Sequence, residues 1–204
     1  NYPEKNVIYK PMPIGLPYPD DIFGKNVLIC DYSYKKDVLL DLLTKVNKLL
    51  IIDHHKSAEK DLADIDPKYK IFDMNHSGAV LTWKYFYPNE KIPLLLEYIE
   101  DNDIWKKALP NTDDFRSAIW LIPHEFPEYA KYLDETQLMD LIEVGKSYNQ
   151  LNDYYAGQAL KYVNTSFSKI KGKYYLVGYI NTTILKSEIG HKIFTEYPLL
   201  DFSS

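Results

Sequence analysis

The sequence predicts an α/β protein with a mostly parallel sheet and helices on both faces, followed by a long connector helix and the start of a smaller α+β domain. Three patterns carry this prediction: strand–helix–strand over 27–52, one helical run over 137–163, and a hairpin pattern over 165–180. Strand–helix–strand units have parallel, usually neighbouring, strands. The expected parts are an α/β domain at 1–135, a connector helix at 136–163 and the start of a smaller α+β domain at 164–204.

Composition places the chain among ordinary globular proteins. Its 204 residues carry a net charge of −5 without a basic stripe, so bulk electrostatics do not recruit nucleic acid. The lone Cys30 excludes an intramolecular disulfide and is compatible with a cytoplasmic location. No apolar run approaches the roughly 20 residues that span a bilayer, so no membrane partner is expected. The sequence does not indicate an oligomeric state.

Short apolar runs and helical spacing predict the remaining elements. The expected strands are 6–10, before a proline-rich run, and 27–30, 48–52 and 69–73. The apolar runs 27–30 and 48–52 are expected to be buried on both faces of the sheet. The expected helices are 35–46, 57–63, 77–86, 92–105, two short ones within 110–134, and 184–196. Ser77 is expected to cap the third of these helices, whose first amides could hold a phosphate or bind nothing.

The chemistry is concentrated where two predicted strands end. Four aliphatic residues lead into Asp53, His54 and His55, and Asp31 follows the strand before. Because parallel strands end at one edge, Asp31 and His54 should project from the same edge of the sheet, where α/β proteins bind ligands. Imidazole and carboxylate groups suit divalent metals and phosphate chemistry. The alternative is an incidental pair of surface histidines.

Four segments of the chain form a series of motifs. They are Ile29-Cys30-Asp31-Tyr32-Ser33, Ile52-Asp53-His54-His55-Lys56-Ser57, Phe72-Asp73-Met74-Asn75-His76-Ser77-Gly78-Ala79 and Tyr98-Ile99-Glu100-Asp101-Asn102-Asp103-Ile104-Trp105. Together they resemble the DHH phosphoesterase superfamily, which includes exonucleases, dinucleotide phosphodiesterases, exopolyphosphatases and manganese pyrophosphatases. The resemblance covers residues 5–110 well and 165–200 more loosely. It implies that 1–135 is an N-terminally incomplete metal-binding domain and 164–204 an incomplete substrate-binding domain.

The resemblance implies a role for each site residue. Asp31 would bridge two metal ions, while His54 and Asp101 would complete the shell of one of them. His55 would face the scissile phosphate, and Asp53 would hold an imidazole in place. The implied cofactors are two Mn²⁺ ions, with Mg²⁺ possible, and the mechanism is two-metal hydrolysis. The implied partner is a small phosphorylated substrate or a short single-stranded nucleic acid.

Two carboxylates compete for the place of the late ligand. On a helical wheel Asp103 lies with the apolar face, whereas the family's spacing to the following Ile-Trp pair selects Asp101. We follow the spacing and expect Asp101→Ala to weaken Mn²⁺ binding more than Asp103→Ala.

The sequence also departs from the family. A first motif with an Asp-rich turn and a C-terminal motif with glycines and a histidine are both missing, so the chain resembles the middle of a longer protein. We therefore expect hydrolase activity from the full-length form and little from these 204 residues alone. The alternatives are a catalytically silent DHH-like module that binds a nucleotide or a partner, and a plain α/β scaffold.

Overall fold

The computed structural model describes residues 7–203 and divides into two compact units, one ending at Glu90 and the other beginning at Lys91. The first unit combines a small parallel sheet with helices, so the predicted α/β class is confirmed. Whether helices cover both faces of that sheet stays a prediction. Within residues 7–203, no helix combines the length and the apolar composition that crossing a bilayer requires.

The first unit is built on three parallel strands in the order β1-β2-β3. They are β1 (Asn26–Cys30), β2 (Lys48–Asp53) and β3 (Lys70–Phe72). Three helices accompany them: α1 (Lys36–Leu43), α2 (Lys56–Asp61) and α3 (Gly78–Phe86). The pairing of Val27 with Leu49 through Cys30 with Ile52 confirms that the two strands of the predicted crossover unit are parallel neighbours.

The central strand β2 carries the core of this unit. Leu49 and Ile51 are buried against Leu39 and Leu42 of α1 and against Leu62. Burial of these five aliphatic side chains stabilises the unit by roughly 1.5–3 kcal/mol each. This packing fixes the position of the residues that follow β2.

Two expectations about strands in this unit are wrong. β1 is not buried on both faces, because Leu28 and Cys30 are exposed on one side of what is an edge strand among the described residues. The strand expected at 6–10 is not formed over residues 7–10, whose apolar side chains stay exposed without a neighbouring strand to pair with. Asn6 lies outside the described residues.

The second unit begins with four helices. They are α4 (Leu94–Asp103), α5 (Thr112–Ile119), α6 (Phe126–Lys131) and α7 (Glu135–Ala159). The side chain of Asp134 caps α7 by accepting a hydrogen bond from Gln137 N. A 3₁₀ turn continues α7 to Tyr162, so the long helical run expected at 137–163 is confirmed apart from its last turn. Pro127 lies in the first turn of α6, where proline is tolerated, and does not break it.

The remainder of the second unit is a small sheet with one helix. It consists of β4 (Asn164–Ile170), β5 (Lys173–Tyr179), α8 (Lys186–Glu196) and β6 (Phe202–Ser203). Lys171 and Gly172 both have positive φ, which gives the tight two-residue turn of a β-hairpin and confirms the predicted one. The sequence did not predict β6, a two-residue strand parallel to β5.

Candidate metal centre

The ends of β1 and β2 bring four potential ligands together. Asp31 follows β1 directly, and its N–H donates to the carbonyl of Ile52 at 2.9 Å. Asp53 is the last residue of β2 and is followed by His54 and His55. One ligand atom of each of these four residues lies within 4.8 Å of the others. The cluster could therefore hold a divalent metal ion at the carboxyl edge of the sheet.

Asp31 and His54, which follow different strands, form a close pair. His54 Nε2 lies 3.1 Å from Asp31 Oδ1. The His54 side chain is only 11% exposed, whereas that of Asp31 is 52% exposed. A buried imidazole beside a solvent-accessible carboxylate can bind an ion that still keeps water in its remaining positions.

The backbone of Asp31 is held in an uncommon conformation by its surroundings. Its φ of 57° lies in the left-handed region, which Asp tolerates better than most residues. The first residue of α3, Gly78, is packed directly against it: a Cβ at position 78 would lie 2.5 Å from Asp31 Cβ. Only glycine leaves room for the Asp31 side chain in this position.

Gly78→Ala is therefore expected to disrupt the centre without removing a ligand. The added methyl group must displace Asp31 or the start of α3, since atoms at 2.5 Å overlap. We expect Mn²⁺ affinity to fall about tenfold or more, by analogy with losses of supporting groups around metal sites. Isothermal titration calorimetry with Mn²⁺ measures it.

The control for this change is Ser77→Ala. Ser77 Oγ accepts a hydrogen bond from Val80 N, which confirms the predicted cap. Its loss should cost about 1 kcal/mol of stability without adding an atom beside Asp31. Equal Mn²⁺ affinity in Gly78→Ala and the unmodified protein would show that Asp31 does not bind the ion.

Asp53 is a fully buried carboxylate whose oxygens are occupied by hydrogen bonds. Oδ1 accepts from His54 N at 2.7 Å, from His55 N at 3.2 Å and from His55 Nδ1 at 2.6 Å, and Oδ2 accepts from Ser33 Oγ at 2.5 Å. Burial raises the pKa of this carboxyl group, but these hydrogen bonds outweigh it and lower the pKa overall. Asp53 is therefore an anion that holds the backbone of His54 and His55 and the ring of His55 in place.

The contact with Asp53 sets the orientation of His55. An ionised Asp53 accepts from Nδ1–H, so the neutral imidazole carries its lone pair on Nε2. The His55 side chain is 55% exposed, and its ring centroid lies 4.6 Å from that of His54. This arrangement presents a second imidazole to any ligand that reaches the cluster.

Asp101 lies in the second unit, near the end of α4, where its carboxylate holds the backbone that follows the helix. Its carboxylate is 3% exposed and accepts hydrogen bonds from Ala108 N at 2.8 Å, from Leu109 N at 3.2 Å and from Thr112 Oγ1. Burial raises the pKa of this carboxyl group, and the hydrogen bonds lower it by more. Asp103, on the same helix, is exposed.

We expect Asp101→Asn to destabilise the second unit by about 3 kcal/mol, because three donors lose a charged acceptor.

The lowered pKa of Asp101 adds a pH test. The contribution of Asp101 to stability is fully present above its unfolded pKa, about 3.9, and is lost as pH falls through the folded value. Urea unfolding between about pH 3 and 6 should therefore show a steeper loss of stability in the unmodified protein than in the variant. Asp103→Asn is the matched control, and an equal loss from it would contradict this role.

The sequence alone did not indicate that Ser33 and Gly78 support the site. Ser33 holds Oδ2 of Asp53, and Gly78 makes room for Asp31. Both lie inside the motif segments given above, next to the residues they support. Their position in those segments was the available signal, but a serine and a glycine at such places are too common to be singled out without coordinates.

Comparisons with known proteins identify a relative but no function. No protein-family model matches the sequence. The chain is 31% identical over 189 residues to an uncharacterized protein of Acanthamoeba polyphaga mimivirus, and the match covers 93% of this chain and 45% of the relative. The chain thus spans less than half the length of that relative.

A solved structure of an uncharacterized protein from Helicobacter pylori G27 aligns with 86% of this chain and 65% of that chain. The two sequences are 11% identical and the TM-score is 0.34, which is too low to indicate a shared fold or site. Among the described residues, Asp31, Asp53, His54 and His55 form a cluster that could hold a metal ion.

Proposed function

We propose that the cluster is the metal centre of a DHH-type phosphoesterase that hydrolyses a phosphodiester or phosphoanhydride. The observation that carries the proposal is the 3.1 Å approach of Asp31 Oδ1 and His54 Nε2 at the carboxyl edge of the sheet. Two groups from different strand ends are brought within the span of one ion. If the histidines were incidental, nothing would require Gly78 to pack so closely against Asp31 and hold it beside His54.

The donor set suits Mn²⁺ better than Mg²⁺, which prefers an all-oxygen shell with several waters. Asp31 and His54 would hold the ion. That Asp101 also holds this ion is what the family resemblance implies, and it stays a prediction. A bound ion of this kind supplies charge neutralisation on phosphoryl oxygens and a water of lowered pKa.

Asp53 and His55 would act on the substrate side of the centre. Asp53 fixes the tautomer of His55 through the 2.6 Å contact with Nδ1, so Nε2 can accept a proton or, when protonated, donate one to a phosphate oxygen. The substrates that fit are an oligonucleotide, a dinucleotide, polyphosphate or pyrophosphate. All of them share the phosphoryl group that this chemistry recognises.

The test is hydrolysis by the complete natural gene product with Mn²⁺ and with EDTA. The substrates are a generic phosphodiester, a short oligonucleotide and polyphosphate. Metal-dependent turnover that is lost in Asp31→Asn but kept in Lys60→Gln, an exposed change elsewhere in the first unit, supports the proposal. Mn²⁺ binding without turnover on any substrate would instead favour a catalytically silent DHH-like module.

A further inference from the structure

Helix α7 carries two apolar faces, and one of them is exposed. The buried face consists of Leu138, Leu141, Ile142, Gly145 and Ala156. A second set of apolar side chains on the same helix is between 41% and 54% exposed, and we call it the α7 stripe (Val144, Tyr148, Leu151, Tyr155). Since an α-helix turns by about 100° per residue, the stripe lies about 100° around the helix from the buried face. The packing of α7 against its own chain therefore does not account for the stripe.

The α7 stripe has the spacing by which two helices pack along their length. Its members follow one another at intervals of four, three and four residues, which is the 3.5-residue period of a helix–helix seam. A helix that covers a broad core needs a wider apolar face, and the buried face of α7 is of that kind. The narrow stripe therefore fits a second helix better than a flat surface.

The stripe is complementary to itself when two copies run antiparallel. If Tyr148 faces Leu151 of the partner subunit, the same register places Val144 opposite Tyr155 of the partner subunit. Each ring then lies against an aliphatic side chain, and two-fold symmetry repeats both contacts. A parallel pair would instead place every residue against its own copy, ring on ring and aliphatic on aliphatic. Large side chains packed against small ones fill such a seam better, so the antiparallel pair is favoured.

The charges at the two ends of the stripe favour the same orientation. Asp140 and Lys161 border the stripe at opposite ends, and both are exposed. The antiparallel register brings Asp140 beside Lys161 of the partner subunit, and symmetry provides this ion pair twice. Over residues 7–203 neither of the two forms a salt bridge within the chain, and Lys161 Nζ donates to Gln158 Oε1 instead. The ion pairs would therefore form without breaking an existing one.

We propose that two copies of this chain form an antiparallel dimer through the α7 stripe. A membrane surface is a poorer partner for this face, because α7 contains four carboxylates and a single lysine. Helices that lie on anionic lipid are instead rich in lysine and arginine. The dimer requires neither a metal ion nor any residue of the candidate metal centre. The proposal therefore goes beyond the proposed function, and the two can fail separately.

The test is sedimentation velocity of the full chain in EDTA over a wide range of protein concentration. We expect a reversible equilibrium between monomer and dimer. Leu151→Glu should weaken the dimer about 100-fold or more, because it brings two like charges together near the two-fold axis at the centre of the interface. The matched control is Met139→Glu, which adds the same charge at an exposed apolar position of α7 outside the stripe and should leave Kd unchanged. Far-UV circular dichroism checks that each variant folds.

The antiparallel orientation is tested by exchanging the charges at the ends of the stripe. Asp140→Lys and Lys161→Glu should each weaken the dimer about threefold to tenfold, because each change places like charges beside one another at both ends. The two changes together bring opposite charges together again and should return Kd to that of the unmodified protein. A chain that stays monomeric at every concentration, a dimer unaffected by Leu151→Glu, or a double charge variant no tighter than the single ones would each overturn the proposal.

Discussion

His54→Ala is expected to remove the response of the first unit to Mn²⁺. The imidazole is nearly buried, and its Nε2 lies 3.1 Å from Asp31 Oδ1. Without it, the ion would keep only Asp31 of this pair as a ligand. A ligand that binds only the native state stabilises it by about 2.7 kcal/mol at 100 times its Kd. Thermal unfolding with and without Mn²⁺ should show this stabilisation in the unmodified protein and almost none in His54→Ala.

His55→Ala is the matched change, because it removes the neighbouring imidazole of the same motif. We expect it to keep most of the Mn²⁺ response and to lower the turnover of the natural gene product by roughly two to four decades, as for loss of a general acid or base. His54→Ala should lower both, with turnover falling by about three decades or more. A normal Mn²⁺ response in His54→Ala would exclude His54 as a ligand, and with it the arrangement proposed for the centre.

The convergence of Asp31 and His54 could be predicted because it depends on topology. The strand–helix–strand connection makes β1 and β2 parallel neighbours, and residues that follow parallel neighbouring strands lie at one edge. The strand pattern and the helical spacing between the strands are both readable from the sequence. The approach of the two side chains to 3.1 Å needs side-chain geometry as well, which periodicity does not contain.

Local backbone conformation is what the sequence could not supply. Asp31 has a positive φ, and so do Trp105 and Lys107, which turn the chain back after α4 so that Ala108 N can donate to Asp101. None of these three residues is a glycine, and left-handed conformations at other residues leave no regular signal. For the same reason the helical wheel could not show that the Asp101 side chain is buried by the turn that follows its own helix.

The strand errors have a different physical cause. Periodicity reports which residues are apolar, but exposure depends on whether another element covers them. Leu28 of β1 is 39% exposed on a strand that lies at the edge of the sheet among the described residues, whereas Ile51 of the central strand is fully buried. Two similarly apolar strands can therefore differ in exposure, because exposure depends on the elements packed against each strand.

The strongest packing constraint in the second unit lies where α5 and α7 cross. Gly145 of α7 is packed on the backbone of α5, since a Cβ there would lie 1.9 Å from the carbonyl oxygen of Asp114 and 2.9 Å from Ala118 Cβ. One turn further along α7, Asn149 accepts from Ser117 Oγ at 2.5 Å and donates to Asp114 Oδ1 at 2.7 Å. These hydrogen bonds hold the two helices in register, so they cannot easily separate to admit a methyl group.

Gly145→Ala is expected to destabilise the second unit by about 3–5 kcal/mol. Alanine gains about 1 kcal/mol of helix propensity over glycine, but the overlap is with a backbone oxygen that no rotamer change can relieve. Gly157→Ala on the same helix is the control, because nothing lies within 4 Å of its Cβ and only the propensity gain remains. Hydrogen exchange of the α5 and α7 amides reports the stability of the second unit without a contribution from the first. Protection of these amides should be lower in Gly145→Ala and equal or higher in Gly157→Ala. If both variants became more protected, a methyl group at position 145 would fit between α5 and α7. Helix propensity alone would then decide the effect of each change.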